Sequence, residues 1–213
     1  MNSLDQSLRR MNLDYVDVFY THRFDPDTPL EETLQALVDI VKQGKALYVG
    51  ISKYPPEAAR FAYQYLRERD TPCLLYQGRY NMLNREVEKE KIIEDAKEAG
   101  AGFVAFSPLA QGLLSDRYLS GKVADDSRMA RGHFLRRSTL TEEMLKKLNS
   151  LAEIAKERGQ SLAEMALAWL LKDDRVTSVI VGTSSVQQLH MNLKALKNTS
   201  FSEEELQRIE ALL

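Results

Sequence analysis

The chain has 213 residues, of which 44% are hydrophobic and 28% are charged, as is typical of a soluble globular domain. Its 29 basic and 31 acidic side chains nearly balance, which gives no reason to expect nucleic acid or an anionic membrane as a partner. The single cysteine, Cys73, excludes an internal disulfide and favours a reducing, cytoplasmic location. We expect neither a signal peptide nor a membrane span, because the N-terminus has no apolar core and the longest apolar run, 165–171, is too short.

Short apolar segments alternate with longer amphipathic segments along the chain. A first helix is predicted to begin at Ser3. Strands are predicted at 15–20, 46–51, 73–77, 102–106 and 178–182, and helices at 30–43, 56–69, 86–99, 141–157, 161–172, 186–195 and 202–212. Strands that alternate with helices indicate a parallel sheet, and their continuous apolar sequences indicate that both faces are covered.

Local signals mark several helix ends. Capping boxes are predicted at 28–31, 161–164 and 202–205. Helices are predicted to stop at Gly44, Gly100 and Gly159. The arginine-rich segment 115–139 has no periodicity, which predicts a long loop that is functional or disordered. Two architectures fit this pattern, a doubly wound open sheet and a (β/α)8 barrel, although a full barrel needs about 250 residues and eight strands.

Each predicted strand ends in polar or glycine-rich residues, and in a parallel sheet these ends meet at one edge. At the first of them, His22 can donate a hydrogen bond to a substrate oxygen, or it can cap the turn. At the last, Gly182 to Ser185 lead into a helix and can bind a phosphate, or they can form a plain helix cap. His133 and His190 have no partners at metal-ligand spacing, so we interpret them as surface residues and expect no metal site.

Five segments together resemble the aldo-keto reductase superfamily: LDYVDVFYTHRFD, GKALYVGISKY, YQGRYNMLNR, AFSPLAQGLL and SVIVGTSSVQQLHMNLKAL. The similar branch contains bacterial L-glyceraldehyde 3-phosphate reductases and the β subunits of voltage-gated potassium channels. The resemblance implies an α/β fold of the (β/α)8 TIM-barrel type, here a partial barrel of about five parallel strands that forms one domain over 1–213. It also implies NADP(H) as cofactor and hydride transfer to a small carbonyl substrate, such as a glyceraldehyde-3-phosphate-like aldehyde.

The same resemblance assigns the site. His22 corresponds to the histidine of the family's catalytic tetrad. The residues that surround the nicotinamide are Ser52, Lys53, Gln77 and Phe106, whose ring stacks on it. The residues on the pyrophosphate and phosphate side are Ser107, Leu109, Ala110, Gly112, Arg117 and Arg128. The residues at the adenosine end are Gly182, Ser184, Gln188 and Asn192.

The sequence departs from the family pattern in two ways. Met191 stands where relatives often carry a glutamate, and Ser185 stands where they often carry an arginine or an asparagine. Both differences weaken the expected preference for NADPH over NADH. The tetrad's aspartate, tyrosine and lysine belong to barrel strands that precede the first residue given, so the resemblance implies a truncated chain whose open sheet edges would allow a homo-oligomer. Two functions therefore stay open: a reductase, and a non-catalytic nucleotide-binding or protein-interaction module.

Overall fold

A computed structural model describes residues 2–123, 128–131 and 135–213, except for the side chains of Arg128 and Arg131. His133 and parts of the predicted loop at 115–139 therefore lie outside the described residues. The described parts of that loop contain short 3₁₀ turns at Asp116–Tyr118 and Arg137–Thr139 and the helical turn Arg128–Arg131.

The strands form one five-stranded sheet. They are β1 (Val16–Thr21), β2 (Ala46–Ser52), β3 (Cys73–Arg79), β4 (Gly102–Phe106) and β5 (Ser178–Val179), hydrogen-bonded in that order. β1 pairs with β2, and β2 with β3, in parallel. The predicted parallel sheet is confirmed, but the last strand is shorter than the predicted 178–182. Beyond its end, the Ile180 N–H still donates to the carbonyl of Ala105 at 2.9 Å.

Ten helices occur within the described residues, in the predicted order apart from one short helix that lies in the predicted loop at 115–139. They are α1 (Asn2–Met11), α2 (Leu30–Lys42), α3 (Pro56–Arg67), α4 (Glu86–Lys89), α5 (Ile92–Glu98), α6 (Arg128–Arg131), α7 (Glu142–Glu157), α8 (Leu162–Leu170), α9 (Val186–Lys194) and α10 (Glu203–Glu210). The single helix predicted at 86–99 is wrong, because Lys91 adopts a left-handed conformation (φ 57°) and divides it into α4 and α5. No helix in the described ranges is long and apolar enough to cross a membrane.

Two of the three predicted capping boxes are confirmed. Ser161 and Ser202 each accept a hydrogen bond from the N–H three residues later, and the glutamate there accepts one in return. The box at 28–31 is wrong: the Thr28 hydroxyl donates to the Asp25 carboxylate at 2.9 Å, and α2 begins after Pro29 without a side-chain cap. The three predicted glycine stops are confirmed by positive φ angles.

The chain divides into two compact units, the first comprising 1–78 and 86–104 and the second 79–85 and 105–213. In the first unit, Leu4 and Leu8 of α1 pack against Ile40 of α2 and Ala46 of β2. In the second unit, Leu167 and Ala168 of α8 pack with Ala195, and Phe201 and Val179 cover this cluster. All residues of α8 except Ala163 are buried, which explains why its sequence is almost entirely apolar.

Candidate functional site

In the first unit, His22 lies just beyond the end of β1 with its side chain exposed. The residue before it is anchored, because the Thr21 hydroxyl donates to the buried Tyr54 hydroxyl at 3.1 Å. The Phe24 ring meets the Tyr54 ring edge to face, with 5.6 Å between centroids. Burial raises the pKa of the Tyr54 hydroxyl above its ordinary value, and the bond from Thr21 opposes only part of that rise. Both interpretations of His22, as a donor to a substrate oxygen and as a cap of the turn, stay predictions.

The ends of β2 and β3 bring three of the predicted residues together. Ser52 is buried and pairs in register with Gln77. The Lys53 N–H donates to the carbonyl of Gln77 at 3.3 Å, and Lys53 adopts a left-handed conformation (φ 55°). This conformation turns the chain away from the sheet immediately after β2. Ser52, Lys53 and Gln77 therefore form one small polar group in the first unit.

In the second unit, the loop after β4 has an unusual backbone. Ser107, Ala110 and Gln111 have positive φ angles of 55°, 48° and 61°. Such conformations cost a residue other than glycine roughly 1 kcal/mol or more, and they concentrate at functional sites. Two side chains hold the loop in place: the Asn81 amide donates to the carbonyl of Ser107 at 2.9 Å, and the Gln111 amide donates to the Ser107 hydroxyl at 3.0 Å. Asn81 lies among the polar residues that follow β3, and the sequence alone gave it no role in the site.

A cleft of about 1000 Å³ opens beside this loop, within the second unit. This volume lies at the upper end of the range for ligand pockets. The predicted residues that line it are Ser107, Leu109, Gly112, Arg117, Gly182, Ser184, Gln188 and Asn192. Phe106 and Ala110 are not part of its lining, and the side chain of Arg128 lies outside the described residues. A smaller groove of about 380 Å³ between α3 and α5 of the first unit contains none of the predicted residues.

Two carboxylates of the cleft were missed by the sequence analysis as lining residues. Asp116 accepts a hydrogen bond from the Leu162 N–H at 3.3 Å, and Glu164 completes the capping box of α8. Both therefore help to hold the start of α8 against the cleft. No group of three or more potential metal ligands occurs in the described part of the chain.

The first turn of α9 forms one wall of the cleft. The Ser185 hydroxyl accepts from the Gln188 N–H at 3.1 Å, so the helix-cap interpretation of this stretch is confirmed for Ser185. The N–H and hydroxyl of Ser184 both donate to Gln188 Oε1, at 2.8 and 3.1 Å. The phosphate-binding interpretation stays a prediction.

One polar group of the cleft lacks a partner. Asn192 lies one helical turn after Gln188, its side chain is 8% exposed, and its Nδ2 makes no hydrogen bond to any described residue. A buried amide N–H group without a partner costs about 1–3 kcal/mol. Because Nδ2 is shielded from solvent as well as unpaired, a ligand acceptor such as a ring nitrogen of adenine would reach it only after the side chain turns towards the cleft; with that turn, the donor fits a nucleotide.

Comparison with known proteins agrees with this fold. The chain is 53% identical over 212 residues to L-glyceraldehyde 3-phosphate reductase of Escherichia coli (strain K12), a match that covers 98% of this chain and 61% of that protein. It is 35% identical over 199 residues to a probable voltage-gated potassium channel subunit beta of Oryza sativa subsp. japonica, covering 92% of this chain and 61% of that protein. A thermostable aldo-keto reductase, crystallised in complex with the inhibitor epalrestat, superimposes with a TM-score of 0.76 at 30% identity, covering 100% of this chain and 65% of that one.

The chain thus spans less than two thirds of the length of these relatives. The structural similarity confirms the predicted fold class, an α/β partial barrel of the (β/α)8 type with five parallel strands. The sequence model of the Aldo/keto reductase family matches residues 1–213. The chain therefore belongs to the aldo/keto reductase family.

Proposed function

We propose that the chain binds the nicotinamide dinucleotide NADP(H) and belongs to a cytoplasmic reductase of small aldehydes. The observation that carries this proposal is the cleft of the second unit, in which eight residues assigned to the cofactor line one cavity and a buried amide lacks a partner. The name of the Escherichia coli relative supports a glyceraldehyde-3-phosphate-like substrate. When bound, the reduced nicotinamide supplies a hydride to the carbonyl carbon.

In the second unit, the residues of the cleft divide between phosphate and adenosine. Residues of the loop 107–112 line the cleft together with Arg117, whose positive charge suits a pyrophosphate. The Asn192 amide donates to an adenine ring nitrogen, while the first turn of α9 faces the ribose. Arg128 and Phe106 keep their proposed roles, as a phosphate-side cation and as the aromatic face for the nicotinamide.

In the first unit, the group Ser52, Lys53 and Gln77 offers donors and acceptors that suit the carboxamide of the nicotinamide. His22 is exposed beyond β1, so an imidazole N–H is free to donate to the oxygen of a carbonyl substrate. This bond would orient the carbonyl and stabilise the negative charge that develops on its oxygen during reduction.

Asn192→Leu tests the cofactor proposal. Because Nδ2 has no partner, replacing the amide with an apolar group of similar size should leave the melting temperature unchanged or raise it. The dissociation constant for NADPH, measured by isothermal titration calorimetry, should rise at least tenfold, as expected from the loss of about 1.4 kcal/mol. The wild-type chain should melt at a higher temperature in excess NADPH, since a ligand stabilises the state that it binds.

A matched control is Asn149→Leu on α7, outside the lining of the cleft. The Asn149 amide donates to the carbonyls of Leu119 and Leu145, at 3.2 and 2.8 Å. We expect this control to lower the melting temperature and to keep the NADPH affinity, the opposite pattern. A wild-type melting temperature indifferent to NADPH, or equal affinity in Asn192→Leu and wild type, would contradict the proposal.

A second candidate is a nucleotide-binding module without catalysis. The match to a channel beta subunit favours it, because that name describes a subunit rather than an enzyme. Of the family's catalytic tetrad, moreover, the resemblance assigns only His22 within these residues. Carbonyl-dependent oxidation of NADPH separates the two candidates. Sustained turnover by the purified chain excludes the module, and tight NADPH binding without turnover excludes a reductase formed by these residues alone.

A further inference from the structure

Tyr54 contacts the chain on both sides of His22. The hydroxyl of Thr21, the residue before His22, donates to the Tyr54 hydroxyl at 3.1 Å. The ring of Phe24, two positions after His22, meets the Tyr54 ring edge to face, with 5.6 Å between the centroids. Two contacts of different chemistry thus attach the segment 21–24 to one buried side chain, since Tyr54 is only 3% exposed.

The backbone of Tyr54 is itself held in place. Pro55 follows it and disfavours a helical conformation for Tyr54, because the proline ring would clash with such a backbone. The Tyr54 carbonyl accepts a hydrogen bond from the buried Tyr76 hydroxyl of β3 at 2.8 Å. The Tyr76 ring in turn stacks on the buried Phe103, with 5.9 Å between centroids. Tyr54 therefore joins the segment 21–24 to the core of the first unit.

The segment needs such an attachment because it leaves the sheet. The pairing of β1 with β2 ends at Thr21, and His22 follows with its side chain exposed. Farther along, the Asp25 carboxylate accepts from the Asp27 N–H at 3.1 Å and closes the next turn. The contacts with Tyr54 support the residues between the end of the sheet and this turn.

We infer that Tyr54 is a positioning residue, which holds His22 in the orientation that lets it donate to a carbonyl oxygen. The inference rests on the proposed function, in which His22 is that donor. Tyr54 acts through the backbone of 21–24 and not on the substrate. A hydrogen bond weakens steeply as its angle becomes poor, so a displaced His22 would stabilise the negative charge on the oxygen less and would slow the reduction.

Two conservative variants break the hydroxyl pair and keep the surrounding shape. Tyr54→Phe retains the ring that meets Phe24, and Thr21→Val retains a branched side chain of similar size. The order parameter of the His22 backbone N–H, measured by NMR relaxation, should be about 0.85 in the wild-type chain and should fall towards about 0.6 in either variant. Because both variants remove the same bond, the double variant should show no further decrease.

Tyr65→Phe is the matched control in the same unit. The Tyr65 hydroxyl of α3 donates to Gln35 Oε1 of α2 at 3.1 Å, so this variant loses a bond of the same length elsewhere. We expect it to lower the melting temperature about as much as Tyr54→Phe does and to leave the order parameter of His22 unchanged. A wild-type order parameter already below about 0.6, or one that stays unchanged in Tyr54→Phe, would overturn the inference.

Carbonyl-dependent oxidation of NADPH, with L-glyceraldehyde 3-phosphate as the probe, separates the inference from the proposed function. If the wild-type chain turns over, Tyr54→Phe and Thr21→Val should lower kcat about threefold to tenfold, the value of one hydrogen bond, and should leave the KM for NADPH unchanged. An unchanged kcat would overturn the inference. If the wild-type chain shows no turnover, the proposed reductase activity fails for this chain, and the order parameter of His22 alone decides whether Tyr54 positions it.

Discussion

Arg158 connects the end of α7 to the segment between α9 and α10, and its side chain is only 3% exposed. Its guanidinium lies 2.7 Å from Glu205 Oε1, and its Nε donates to Gln160 Oε1 at 2.9 Å. Nη2 donates to the carbonyl of Ser200 at 2.9 Å, and the guanidinium stacks 3.6 Å from the centre of the Phe201 ring. One buried cation thus satisfies several acceptors of the second unit.

Arg158→Met tests how much this cation contributes to stability. Methionine retains the apolar contact with Phe201 but leaves the Glu205 carboxylate and the carbonyl of Ser200 without their donor. Removing one partner of a buried ion pair costs about 3–5 kcal/mol. The Glu205 side chain is 26% exposed, so water recovers part of the loss, and we expect a decrease in the free energy of unfolding of about 3 kcal/mol. Such a decrease is a large fraction of the stability of a domain, which is about 5–15 kcal/mol.

Urea denaturation, monitored by the fluorescence of Trp169, measures this change. Trp169 is the only tryptophan in the chain, and it lies buried in the same unit as Arg158. Arg208→Met is the matched control: it removes the two-pronged pair with Glu157, at 2.6 and 3.0 Å, between side chains that are 41% and 57% exposed. Exposed pairs contribute little, so the control should unfold at nearly the wild-type urea concentration. A loss below about 1 kcal/mol for Arg158→Met would refute the reasoning, because it would fall within the range of an exposed pair.

Two further predictions use groups whose pKa is shifted. Burial raises the pKa of the Cys73 thiol to about 12. A thiol reagent at pH 8 should therefore leave the folded chain unlabelled and should modify one thiol per chain only after denaturation. Rapid labelling of the native chain would contradict this prediction. Burial alone would raise the pKa of the Glu205 carboxyl, but the Ser202 N–H and Arg158 outweigh burial and lower it below the ordinary value of 4.5. The stability that Glu205 contributes is therefore fully present above pH 4.5 and is lost as the pH falls through the lower pKa of the folded state. Urea titrations between pH 3 and 7 should show that acid lowers the free energy of unfolding less in Arg158→Met than in the wild type.

Local sequence signals predicted those parts of the fold that depend on local interactions. The capping boxes at Ser161 and Ser202 formed because a serine and a glutamate three residues apart can satisfy each other without help from the rest of the chain. The box at Thr28 failed because α2 begins after Pro29, one residue later than the box requires, and the Thr28 hydroxyl donates to Asp25 instead. The break at Lys91 has no signal at all, since neither glycine nor proline occurs between 86 and 99.

In the candidate site, too, some features could be predicted from the sequence and others could not. The polar ends of the strands could be identified from the alternation of strands and helices, and the resemblance assigned their roles. The left-handed backbone of 107–111 could not be predicted, because Ser107, Ala110 and Gln111 favour no such conformation by themselves. It depends on Asn81, which reaches Ser107 from the loop after β3, 26 residues earlier in the chain.

The sequence also does not show which hydrogen-bond donors at the start of α9 have a partner. A serine and a glutamine four residues apart can form this bond in many sequences. Only the structure shows that Gln188 Oε1 accepts from both Ser184 donors while Asn192 Nδ2 lacks a partner. The position of α9 in turn depends on Ala195, which packs with Leu167 and Ala168 in the cluster covered by Phe201. Because Arg158 stacks on that same ring, the stability of the second unit and the geometry of its cleft rest on one connected set of contacts. We expect a variant in this set to change both quantities together, whereas a variant of Gln188 or Asn192, which line the cleft on α9, should leave this set of contacts intact.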